Sequence, residues 1–254
     1  MKTPTRSALV GLAVAGLLLV SSAAVVTAAG PAVAGGPAGT GVCRTQAAAI
    51  KTAASIGTLR AFGDCEIARR YVTLDKLSAK ISGSKVLTSS HAAALSGEVG
   101  ATKTGLAGLK TQIDSETSLL VLRADVKKIA TDYRVYLLVA PKVNLVNGAD
   151  GVLATKATFD KVNTALTARI AAAKAAGKDV AAAQADLDAM NAAVTQAMGL
   201  AGPLPAALLP LTPAQYNSGI AGPVLKSSRA ALVQARGLLQ SARKDAQACR
   251  DALK

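Results

Sequence analysis

Near the C-terminus, Leu225, Leu232, Leu239, Ala246 and Leu253 recur every seven residues, and Ser228, Ala235, Ala242 and Cys249 fill the alternate positions. Steps of three and four are the period of one helix face, whereas a half-buried strand would alternate every second residue. The run therefore predicts one long helix over about Val224 to Leu253. Leu set against small residues lets two helix backbones approach closely, as in tightly packed antiparallel pairs. A chain with such a seam needs a partner helix.

The same spacing recurs along the sequence. Ile67, Tyr71, Leu74 and Ile81 make one face, and Leu95, Val99, Thr102, Leu106, Leu109 and Ile113 make another. Thr88-Ser89-Ser90 offers capping side chains ahead of the second of these. Gly97, Gly100, Gly105 and Gly108 sit inside it. Each costs up to about 1 kcal/mol relative to Ala unless a neighbour comes close there. Leu119, Leu122, Val126, Ile129, Tyr133, Tyr136 and Ala140 alternate steps of three and four, a coiled-coil-like seam read as one helix that Pro141 kinks or breaks. Val135 to Val139 belongs to that seam rather than to a strand, and the dozen residues around Asn147-Gly148 and Asp150-Gly151 are ambiguous. Phe159, Val162, Leu166 and Ile170 form the next face, closed by Gly177; Asp179 can cap the following one, Ala183, Leu187, Met190, Val194 and Ala197. Arg44 to Ala61 is weakly patterned helix, and 199–223 is a Pro-rich connection with no helix of any length.

Composition explains why these seams must be thin. Hydrophobic residues are 51% of the 254-residue chain but aromatic ones only 2%, so the core has to come from Leu, Val, Ile and Ala. The expected fold is all-α, an elongated antiparallel up-and-down helical bundle over 44–254 that follows a cleaved signal peptide.

That signal is the clearest targeting feature. Lys2 and Arg6 precede the apolar stretch Ala8 to Val20, and small-residue sites follow at Val26-Thr27-Ala28 and Ala32-Val33-Ala34. This is a secretory signal peptide layout, assigned to residues 1–34 with cleavage after Ala34, and 35–43 reads as a flexible Gly/Pro/Ala leader. A retained anchor competes, but the apolar core is short for a bilayer-spanning helix of roughly 20 residues. No stable membrane span is expected after cleavage. The product is secreted or associated with the cell envelope.

Formal net charge is +14. The most ordered basic feature is Arg229, Arg236, Arg243 and Arg250, again every seven residues, flanking the last seam. Arginines beside a hydrophobic contact lay their stems on it and keep their heads in water, which is the first reading; a dedicated anion-facing stripe is the second. In an exported protein an anionic envelope polymer or another envelope protein is a more fitting partner than nucleic acid. Basic doublets are few and two Phe leave little to stack on bases.

Three cysteines in an exported chain imply one disulfide and a leftover thiol. On one continuous helix Cys43 and Cys65 would lie roughly 33 Å apart. The favoured pair is therefore Cys65–Cys249 with Cys43 free in the leader, then Cys43–Cys249, and Cys43–Cys65 last. His91 is the only histidine and reads as a solvated first-turn residue. No multi-histidine metal site is possible, and Asp114/Glu116 and Asp186/Asp188 do not face each other on helices. No catalytic, metal or cofactor-binding residue is assigned, and the chain is expected not to be an enzyme.

One segment is more specific. Cys65 to Arg70 (CEIARR) leads into Leu74, Leu87-Thr88 precedes an Ala-rich helix, and Asp132 to Lys142 reads DYRVYLLVAPK with Asp150 beyond. From Cys65 to about Asp150 the chain resembles a group of uncharacterised secreted, helix-rich proteins of actinobacteria. The resemblance implies export and a helical bundle but no activity; the DYRVY segment is its sharpest element, open between packing at the Pro141 kink, the favoured reading, and a binding surface. The function expected is an exported, non-catalytic structural or interaction module of the envelope or medium. The alternative is a basic binding module for an anionic envelope polymer or membrane surface.

Overall fold

The computed structural model describes residues 43–254. The signal peptide assigned to 1–34 and the leader up to 42 lie outside the described residues. Among these every regular element is helical: α1 (Arg44–Thr52), α2 (Ile56–Ser82), α3 (Ser89–Ser115), α4 (Leu119–Thr131), a π-helical turn (Val135–Val139), α5 (Ala140–Ala154), α6 (Lys156–Ala175), α7 (Ala181–Ala201), two short helices α8 (Leu204–Leu208) and α9 (Pro213–Asn217), and α10 (Ala221–Asp251).

The long helices bury the faces their spacing predicts. On α3 the buried residues are Leu95, Val99, Thr102, Leu106, Leu109 and Ile113, and Thr88 caps the helix by accepting from the His91 N–H. On α10 the Leu and small-residue series are buried from Leu225 to Cys249. Its partner is α7, along which it packs. Lys178, just before α7, donates to the backbone oxygen of Lys254, so the two helices run antiparallel. α2 and α3 form a second antiparallel pair: Arg60 near the start of α2 donates to the Ile113 and Glu116 carbonyls at the end of α3, orphan acceptors that a helix C-terminus leaves open. α5 lies between these pairs and meets α2, α7, α8 and α10.

Four expectations are corrected. Arg44 to Ala61 is not one helix: the chain breaks at Ala53–Ser55, where the Ser55 side chain accepts from the Thr58 N–H and the Thr58 hydroxyl accepts from the Ser55 N–H. This reciprocal cap starts α2 and lets α1 fold back. In consequence Cys43 is bonded to Cys65, with Cα atoms 5.8 Å apart, and Cys249 is the free, buried cysteine. The predicted Cys65–Cys249 staple is absent, and Cys43 is a buried residue rather than part of a free leader. Separately, 199–223 is not wholly irregular, since α8 and α9 lie within it.

The fourth concerns Leu119 to Ala140, which is not one helix. α4 ends at Thr131, and Arg134 adopts φ 42°, a left-handed conformation that costs a non-glycine residue about 1–2 kcal/mol. The chain then enters the π turn, where the Ala140 N–H donates to the Val135 carbonyl. A wider π turn accommodates Pro141, whose ring would clash with the carbonyl four residues back in a regular helix. Helix then continues through the ambiguous Asn147–Gly151 stretch.

Candidate functional site: an arginine-rimmed groove along the last helix

α10 contacts α7 along its length but meets α6 at only a few points. Between α10 and the α5–α6 segment this leaves two adjoining cavities of about 400 and 300 Å³. The larger has an apolar floor of Phe159, Val162 and Leu166 from α6 and Ala246 from α10, with Arg169, Arg243 and Arg250 on its rim. The smaller is lined by Gly148, Val152 and Leu239, with Arg236 and Arg243 above. Arg243 and Thr155 belong to both, so the two form one groove.

The structure thus brings three members of the predicted stripe, Arg236, Arg243 and Arg250, to one groove, and leaves Arg229 outside it. It adds Arg169 from α6. None of these five arginines has a carboxylate within 4 Å among the described residues, although ten other ion pairs form there. Arg250 donates to the Gln247 side chain. Arg236 partly follows the first sequence reading, because a Cβ on Gly148 would sit 2.8 Å from its guanidinium and 2.6 Å from Leu232. The glycine is what lets α10 lie this close to α5. Arg169 carried no sequence signal of its own; it lies three residues past Leu166 on a face whose partner was not identifiable from spacing.

Cys249 is buried on the packed face of α10. Burial pushes its thiol up from the ordinary value and the Asp186 carboxylate adds to this, while Arg169 opposes it. A thiol so held stays protonated and is a poor nucleophile.

Three other polar clusters fix the fold. His91 is not a solvated residue: its Nδ1 lies 2.8 Å from Oδ2 of Asp150, which is buried and also accepts from the Thr88 N–H. That one carboxylate ties the start of α3 to α5. Lys142 is 1% exposed; its ammonium donates to Glu98 at 2.7 Å and to the Leu211 carbonyl at 2.6 Å. Charge this deeply buried persists only when paired and hydrogen-bonded. The third is the rest of the DYRVYLLVAPK segment. Tyr133 fills the space above Gly105, Tyr136 lies against the guanidiniums of Arg69 and Arg70, which share Glu66, and Arg134 donates to Asn217 of α9 at 2.7 Å. Its residues lock the joint between α4 and α5.

No group of three or more His, Cys, Asp or Glu side chains able to hold a metal occurs among the described residues, and none of their helices is long and apolar enough to cross a membrane. Fold and groove together define an all-α protein, locked by one disulfide, with an arginine cluster that has no carboxylate partner among the described residues beside an apolar cavity. No protein-family model, curated protein or solved structure matches this chain.

Proposed function

We propose that this protein is an exported, non-catalytic binding module that holds an anionic component of the cell envelope along the groove between α6 and α10. The observation that carries this reading is the convergence of Arg169, Arg236, Arg243 and Arg250 from two helices, all without a carboxylate partner among the described residues. Guanidinium groups present a planar fork suited to phosphate and carboxylate, and four along one groove, three of them on its larger cavity, favour a ligand over surface solvation. The second sequence reading thus takes precedence over a purely structural role. Export is supported by the Cys43–Cys65 bond, which belongs to an oxidising compartment, and by the signal-like pattern over 1–34. The buried Cys249 thiol and the engagement of His91 with Asp150 leave the reactive side chains in supporting roles.

Retention of residues 35–254 on polyphosphate-coupled resin tests the reading. The protein should bind at low salt and elute as salt rises, since exposed charges are screened. Arg236→Gln, Arg243→Gln and Arg250→Gln together should move elution to much lower salt. Lys51→Gln, Lys76→Gln and Lys127→Gln, an equal charge change on other exposed faces, should move it far less. Equal shifts for the two triples would show that only net charge matters.

A further inference from the structure

The groove has a second property that charge alone does not use: its floor is apolar. Phe159, one of only two Phe in the chain, lines the larger cavity with Val162, Leu166 and Ala246, while the arginines stand at its edge. A simple polyanion needs the arginines and nothing beneath them. An apolar trough bordered by cations complements a molecule that is a hydrocarbon chain with an anionic head.

We infer that the groove binds one single-chain anionic amphiphile, its alkyl chain along the α6 floor and its carboxylate or phosphate head on Arg243 and Arg250. This rests on reading the groove as an anion site and names the ligand class. The larger cavity, about 400 Å³, falls within the range of small-molecule sites and is apolar with a few polar groups placed to orient a ligand. Its wall from Thr155 to Arg169 spans four turns of helix, about 21 Å, long enough for an extended chain. Bidentate guanidinium contacts suit either head, and alkyl carboxylates and alkyl phosphates both serve as probes.

The test measures affinity of residues 35–254 for monomeric alkyl carboxylates from octanoate to hexadecanoate, for the matching alkyl phosphates and for the uncharged alcohols. Affinity should rise about two- to fourfold per added methylene, the increment expected for burying that group, and level off once the floor is covered. The alcohols should bind about tenfold or more weakly, the loss expected for a charge-assisted contact. Ala165→Trp, at an exposed position lining the cavity, should abolish the chain-length dependence without lowering the melting temperature. Arg243→Gln with Arg250→Gln should erase the preference for charged heads but keep the chain-length dependence. A preference between the two head types names the source of the ligand. Affinity independent of chain length overturns the inference. If polyphosphate retention survives that result, the anion-binding reading stands; if retention is absent too, both fall. Binding to anionic vesicles but to no monomeric amphiphile would also overturn it, in favour of a membrane surface.

Discussion

α10 and the joint from Asp132 to Lys142 are held in place in different ways. α10 is one uninterrupted helix, and its burial follows a repeat of Leu and small residues against α7, with Ser228 as its one buried polar residue. The joint changes helical phase twice within about ten residues, and specific polar contacts hold it: Arg134 to Asn217, Tyr136 on Arg69 and Arg70, Lys142 to Glu98. Non-directional apolar contact suffices where the backbone repeats. Where it does not, individual donors and acceptors decide where the chain goes.

The contrast predicts unequal responses to mutation. Glu98→Ala strands the Lys142 ammonium in the core and should cost about 3 kcal/mol or more, the range for breaking a buried pair. Leu239→Met on the α10 seam keeps volume and hydrophobicity and should cost under about 1.5 kcal/mol. Urea unfolding of both variants checks this; a seam change as costly as Glu98→Ala would show that the two regions are held alike. The disulfide comes next. Cys43–Cys65 closes a loop of 22 residues, so Cys43→Ser with Cys65→Ser should lower stability by about 3 kcal/mol on the chain-entropy account. Peptide mapping without reductant should link those two peptides and leave Cys249 unalkylated until the protein unfolds.

Glycines within α3 sharpen the point. Gly105→Ala would put a Cβ 2.6 Å from the Tyr133 ring, whereas Gly97→Ala meets nothing within 4 Å. Thermal melts should show Gly105→Ala destabilised by about 1–3 kcal/mol through overpacking at the joint, and Gly97→Ala stabilised by up to about 1 kcal/mol through helix propensity. The smallest effect is that of Cys249. Its raised thiol pKa means that its contribution is complete below the ordinary thiol range and is lost as pH rises through the folded value. Cys249→Ala should flatten the alkaline limb of the stability profile.

These regions also differ in how far the sequence revealed them. The six seam residues of α3, the five of α7 and the series on α10 were readable because an unbroken helix converts spacing directly into burial. The breaks at Ala53–Ser55 and Asp132–Arg134 were not. Ser55-Ile56-Gly57-Thr58 lacks the acidic or amide residue that usually marks a capping box, and the left-handed Arg134 has no glycine to announce it. Missing the first break reversed the disulfide assignment, because a continuous helix would have held Cys43 and Cys65 far apart. At the candidate site, Arg236, Arg243 and Arg250 were visible as a period on one helix. Arg169 and the apolar floor depend on where α6 lies beside α10, which periodicity along one chain does not specify.

If the arginines of α10 face a ligand in a defined groove instead of serving as diffuse surface charge, an anionic amphiphile should perturb that groove and little else. Backbone amide shifts of isotopically labelled 35–254, followed by NMR during titration with decyl phosphate, test this residue by residue. Saturable shifts concentrated at 155–169 and 236–250 are expected, with little change along α2 and α3. Shifts scattered over Lys51, Lys76, Lys127 and the other basic surfaces, or none at all, would contradict it.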